Sequence, residues 1–199
     1  MEELKKSYIL NKDRIVERLK EFKSVKEEEY LYELLFCLLT PQSNAKKCWE
    51  AVEELKKQKS LTEFKVAKIL QKKTRFHNNK AFYIMQALTN WEKIKPLLNN
   101  PNRKQLRNVL AENVQGFGLK ESGHFLRNIG KSQNQIAILD RHILRNLKAF
   151  EVVQDDKIKN KKDYLQKESK FIDFSNSIGI PIDELDLLFW SKETGEIFK

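Results

Sequence analysis

Apolar residues recur three and four positions apart along most of this chain, and almost nowhere do they alternate with polar ones over a strand's length. That period restricts the chain to an all-α fold. Residues 8–19 place Ile9, Ile15, Val16 and Leu19 near one stripe. Residues 27–39 form a dense apolar helix with Leu31, Leu34, Leu35, Leu38 and Leu39. Thr40-Pro41-Gln42-Ser43 interrupts it. Pro41 should push Thr40 out of the helical region, and Ser43 should cap the next helix, which carries Ala45, Cys48, Trp49, Val52 and Leu55. Further helices are expected over 61–70, 78–87, 103–114, 120–129, 141–149, 164–178 and 182–190, followed by a tail at 191–199. Ile136–Leu139 and Val152-Val153 are strand-like, but too short and isolated to imply a sheet.

The length of 199 residues allows one large domain or two small lobes. Thirty-eight basic residues against 28 acidic ones leave a formal charge of +10, which favours a polyanionic partner such as DNA, RNA or an anionic membrane face. A lysine-rich solvated surface would give the same balance, so charge alone does not choose. Two cysteines, Cys37 and Cys48, are too few for a disulfide scaffold or a four-ligand zinc site, and their apolar surroundings suit buried thiols. His77, His124 and His142 are too dispersed to define a metal site. Met1-Glu2-Glu3 is acidic where a secretory signal is basic, and no apolar run reaches membrane-spanning length. The expected location is the cytoplasm.

Two stretches carry the chemistry. In Val114-Gln115-Gly116-Phe117-Gly118-Leu119-Lys120, two glycines join two helical patterns. Small residues there permit the turn and let a phosphate approach bare N–H groups at a helix start, so Gly116 and Gly118 are candidate DNA-backbone contacts. Lys120 falls in the first residues of the second helix, where a cation is electrostatically misplaced. That field, with partial burial, would favour the neutral and nucleophilic amine. Twenty residues on, Asp140 ends the run Ile136-Ala137-Ile138-Leu139 and precedes another helix. It reads as an N-cap, a role compatible with catalysis because a cap is rigidly held. His142 reads as a packed histidine.

Leu38-Leu39-Thr40-Pro41-Gln42-Ser43, the Gly116–Lys120 hairpin and Leu139-Asp140-Arg141-His142 stand in the same order as in the helix-hairpin-helix DNA glycosylases, the endonuclease III superfamily, which this chain closely resembles. The end, Trp190-Ser191-Lys192-Glu193-Thr194-Gly195-Glu196-Ile197-Phe198-Lys199, resembles the compact archaeal-type 8-oxoguanine DNA glycosylase/AP lyase branch, which ends in a lysine. The resemblance implies two helical lobes with the active site in a cleft between them. One lobe would span 31–133; the other would join 1–30 to 134–199. It implies that Lys120 is the nucleophile and Asp140 the catalytic carboxylate. Gln42 would lie near the gap left by the flipped nucleotide, Trp190 would stack on the damaged base, and Lys199 would help recognise it. The implied partner is double-stranded DNA containing 8-oxoguanine or an abasic site, and the expected form is a monomer. No cofactor is implied: the four-cysteine iron–sulfur cluster of many relatives is missing, and so is the N-terminal sheet domain of the larger eukaryotic-type enzymes. Arg75 and Phe76 could face DNA, or Phe76 could simply pack at a helix entry.

By this resemblance, the Lys120 amine attacks C1′ of a flipped deoxyribose, Asp140 offsets the charge that develops, and a Schiff base permits β-elimination. A thymine-glycol or mismatch glycosylase would share the lysine but not the terminal segment. A non-catalytic helix-hairpin-helix module would not need Lys120 and Asp140. A lysine-rich interaction protein would account for the charge alone.

Overall fold

The structure, a computed structural model, describes residues 1–199 apart from the side chain of Thr194. Its helices are α1 (Glu2–Ser24), α2 (Tyr30–Leu39), α3 (Ala45–Lys56), α4 (Glu63–Leu70), α5 (His77–Ile94), α6 (Arg103–Asn113), α7 (Leu119–Asn128), α8 (Arg141–Ala149), α9 (Lys161–Ile178) and α10 (Ile182–Thr194). No strand occurs among the described residues. The chain divides into two compact units, residues 26–125 and residues 1–25 with 126–199, and the division falls within α7.

In the 26–125 unit, α2 is buried along nearly its whole length, from Glu33 to Leu39, because it packs against both α3 and α5. The α2–α3 corner departs from the sequence expectation twice. Thr40 is helical (φ −66°, ψ −30°) despite preceding Pro41, and Asn44, not Ser43, caps α3 by accepting from Lys47 N at 3.1 Å. The proline preference is a bias that helix continuation overrides, with Thr40 N donating to Phe36 O. Ser43 is engaged elsewhere, as described below.

In the other unit, α1 packs against α10, which also meets α8 and α9. The buried face of α1 is Leu4, Ile15 and Phe22; Ile9, expected on that face, is 72% exposed. Phe150, Phe171, Phe174 and Phe189 form a chain of ring contacts across α8, α9 and α10. Gly179 (φ 70°) closes α9 in the left-handed region, and Ile180 N returns to Ser175 O.

The strand-like run 136–139 is buried without a sheet partner. Side chains of α9 satisfy three of its backbone groups instead, and Asp140 N donates to Ile138 O. Ala137 N donates to Glu168 Oε1 at 2.9 Å, Leu139 N to the Tyr164 hydroxyl at 3.3 Å, and that hydroxyl donates to Ala137 O at 2.8 Å. This bracing delivers Asp140 to the start of α8. Tyr164→Phe would leave one buried N–H and one carbonyl unpaired. We expect it to destabilise the protein by about 2 kcal/mol and to lower Tm by roughly 4–8 °C in calorimetry. An unchanged Tm would mean that the hydroxyl does not brace the run.

Candidate active site

The hairpin between α6 and α7 assigns its two glycines different jobs. Gly116 has φ 90°, and a Cβ there would lie 2.6 Å from Cδ2 of Tyr83, so both backbone angle and space require glycine. Gly118 is held less strictly: a Cβ would meet only Glu121 Oε2, at 3.2 Å. The same Glu121 oxygen accepts from Gly118 N at 3.1 Å, as the third helical residue does when it reaches back to a helix's N-terminal cap. Glu121 Oε1 lies 3.2 Å from Lys120 Nζ. One carboxylate therefore ties the hairpin amide to the ammonium, a role the sequence reading missed although the spacing of Gly118 and Glu121 was visible.

Lys120 is the second residue of α7, and its side chain is 25% exposed. Behind it, Phe117 and Phe125 pack together, and His124 lies edge-on to Phe36, a packing histidine in the core.

Asp140 belongs to the other unit. It caps α8 with Oδ1, which accepts from Ile143 N at 2.8 Å. Its second oxygen has no partner among the described residues. Nearby, Arg127 and Asp186 form a buried ion pair. Burial pushes the Asp186 carboxyl up to about 7 against the pull of Arg127, and the negative charges of Asp140 and Asp183 add to the rise. Ser132 Oγ and Asn134 N both donate to Asp183 Oδ2, at 2.7 and 3.0 Å, and fix the start of α10 to the turn after α7. His142 faces Glu193 at 3.5 Å.

On α10, Leu185, Leu187, Leu188 and Phe189 are fully buried, while Trp190 is only half-buried. Ile197 is buried, so the terminal segment is docked, and Lys199 is partly covered. α10 extends to Thr194, four residues further than the sequence pattern suggested.

Gln42 is exposed and left-handed (φ 55°). Phe76, at the entrance of α5, is also left-handed (φ 57°) and 53% exposed, with the Arg75 guanidinium 5.4 Å from its ring centre. It does not pack into a helix entry. Between these two corners lies Lys80, which nothing in the sequence reading singled out. It is buried, and its ammonium meets Leu39 O, Pro41 O, Ser43 Oγ and Thr74 Oγ1. Burial pushes its pKa down to about 8; the charges of Lys120 and Arg75 push the same way, and Cys48 opposes them. Cys37 and Cys48 are both buried and form no disulfide, and burial raises the Cys48 thiol to about 11. Among the described residues, no cluster of His, Cys, Asp and Glu is arranged to hold a metal ion. Among the described residues, no helix is long and apolar enough to cross a membrane.

Two helices joined by a glycine-hinged turn, with a lysine at the start of the second, make this a helix-hairpin-helix protein. Comparison with known proteins specifies it further. The family model described as 8-oxoguanine DNA glycosylase matches residues 15–180, and the chain belongs to that family. An 8-oxoguanine DNA glycosylase/AP lyase of Fusobacterium nucleatum is 40% identical, across 99% of this chain and 96% of the relative. That of Methanocaldococcus jannaschii is 35% identical, across 100% and 97%. The crystal structure of the Methanocaldococcus jannaschii glycosylase/lyase in complex with a 15mer DNA containing 8-oxoguanine has a TM-score of 0.89 at 31% identity, and each chain is fully covered. The 8-oxoguanine DNA glycosylase of Thermotoga maritima also gives 0.89 at 31% identity, across 100% of this chain and 97% of that one.

Proposed function

We propose that this chain excises 8-oxoguanine from double-stranded DNA and cleaves the strand at the resulting abasic site, with Lys120 as the nucleophile. The observation that carries the reading is Lys120 itself. It is a largely covered amine at the second residue of α7, behind a turn that only glycine can make, in a chain matched end to end by 8-oxoguanine glycosylase/AP lyases. The target nucleotide leaves the stack, because its glycosidic bond is inaccessible within a duplex. Lys120 gives up its contact with Glu121, loses a proton and attacks C1′. The C1′–N9 bond breaks, and its electron pair leaves with the base. Asp140 offers its unpartnered oxygen to the positive charge that grows on the sugar. The C1′–O4′ bond then opens, O4′ takes up a proton, and the resulting Schiff base on Lys120 acidifies C2′–H; removal of that proton expels the 3′ phosphate by β-elimination.

Gln42 and Phe76 are the residues we assign to the duplex. Both are exposed at strained corners, and an aromatic side chain at such a corner has the chemistry of a wedge between base steps. Gly116 and its neighbouring helix start approach the phosphate backbone. Trp190 supplies a stacking face. We assign Lys199, in the docked segment, to recognition of the base, where an acceptor opposite N7–H separates 8-oxoguanine from guanine. We place the protein with the DNA in the cytoplasm, acting as a monomer.

Deletion of Lys199 tests the substrate. Excision of 8-oxoguanine should fall by about 10²-fold or more, while cleavage at a preformed abasic site changes little. Equal losses on both substrates, or none on either, would refute the recognition role.

A further inference from the structure

Two of the non-glycine residues with positive φ, Gln42 and Phe76, are held by a single buried cation. Lys80 Nζ is 2.6 Å from Leu39 O and 2.8 Å from Pro41 O, carbonyls of the segment that leads into Gln42. It is 2.9 Å from Ser43 Oγ, immediately after Gln42, and 2.6 Å from Thr74 Oγ1, two residues before Phe76. The two corners are also joined directly. Ser43 Oγ lies 2.8 Å from Thr74 Oγ1 and accepts from Arg75 N at 3.0 Å.

Left-handed backbone at a non-glycine residue persists only where its surroundings over-determine it. Here the surroundings are one ammonium and the four oxygens converging on it. A rotatable, compact cation matches that convergence, whereas a planar guanidinium would not. Burying a charge is an expensive way to join two loops, and an apolar residue of equal length would fill the same space without desolvating an ion. What the ammonium adds is direction: it sets carbonyls and hydroxyls, and so the backbone on either side of both corners. The side chains thereby pointed outward are those of Gln42 and Phe76, and both are exposed.

We propose that Lys80 is a positioning residue that presets the Gln42 turn and the Phe76 corner for insertion into duplex DNA. The inference rests on the reading that those two residues face the duplex. It predicts that Lys80 matters where a base stack must be invaded and not where there is none. Lys80→Met keeps the chain length and removes the donors. Single-turnover excision of 8-oxoguanine from a duplex should slow by about 30-fold, within the range of coupled neighbouring residues. Cleavage of an abasic site in single-stranded DNA should stay within about threefold of the parent. In a Gln42→Ala/Phe76→Ala background, Lys80→Met should slow duplex excision by less than about threefold more, because there is nothing left to position. Equal losses on both substrates, or a full additional loss in that background, would overturn the proposal and leave Lys80 a purely structural residue. If Gln42→Ala/Phe76→Ala excises from duplex as fast as the parent, the DNA-facing reading itself fails, whatever Lys80→Met does. Should Lys80→Met not fold, Ser43→Ala decides. It retains the ammonium and removes the hydroxyl shared with Thr74 and the Arg75 amide, and it must show the same split between substrates; equal losses there overturn the proposal as well.

Discussion

Lys120→Gln is expected to bind duplex DNA much as the parent does and to yield no borohydride-trapped adduct. Single-turnover excision should fall by on the order of 10⁴-fold or more, the scale seen when a covalent nucleophile is removed. The hairpin gives reason to expect that folding is spared. Glu121 loses its ammonium partner but keeps the bond from Gly118 N, so the start of α7 remains capped. Gel assays under borohydride, with the adduct mapped by mass spectrometry in the parent, check the assignment. An adduct on any other lysine would move the nucleophile elsewhere.

Asp140→Asn separates two functions that one carboxylate combines. An asparagine oxygen can still accept from Ile143 N, so the cap of α8 survives and stability should change by less than about 1 kcal/mol. The charge does not survive, and the excision rate should drop by about 10²- to 10³-fold. The variant should also lower the Asp186 pKa from its value of about 7, since the charge of Asp140 is among the causes of that rise. Carboxyl titration by NMR reads this shift independently of activity. A variant as fast as the parent would leave Asp140 a cap and nothing more.

The helices were legible because each had to bury an apolar stripe, and a stripe is written locally. Asp140 as a cap was legible for the same reason: the bond to Ile143 spans three residues. What stayed hidden depends on partners distant in the chain. Lys80 is one lysine among many, and its partners Leu39 and Pro41 lie 41 and 39 residues away. Arg127 and Asp186 are 59 residues apart, and neither stands out beside its neighbours. Local rules also failed where two of them competed. At Thr40 the proline preference lost to helix continuation, and at Ser43 a good capping residue was diverted to Lys80, leaving the cap to Asn44. The run at 136–139 was rightly denied a sheet, but only the structure shows that α9 supplies its missing bonds.

The order in which the chain leaves the ribosome bears unequally on the two units. Residues 26–125 are contiguous, so that unit can complete its contacts as soon as it has emerged. The other unit joins the first 25 residues to the last 74, and α1 packs on α10. At translation speeds of about 5–20 residues per second, α1 waits roughly 3–14 s after residue 125 before α10 is complete. During that interval the buried face of α1, Leu4, Ile15 and Phe22, lacks the α10 surface on which the helix packs. The nascent protein therefore exposes an amphipathic helix for seconds, a natural substrate for a holding chaperone. Variants that weaken α10 would prolong that exposure and reduce the yield of soluble protein more than they alter the finished molecule.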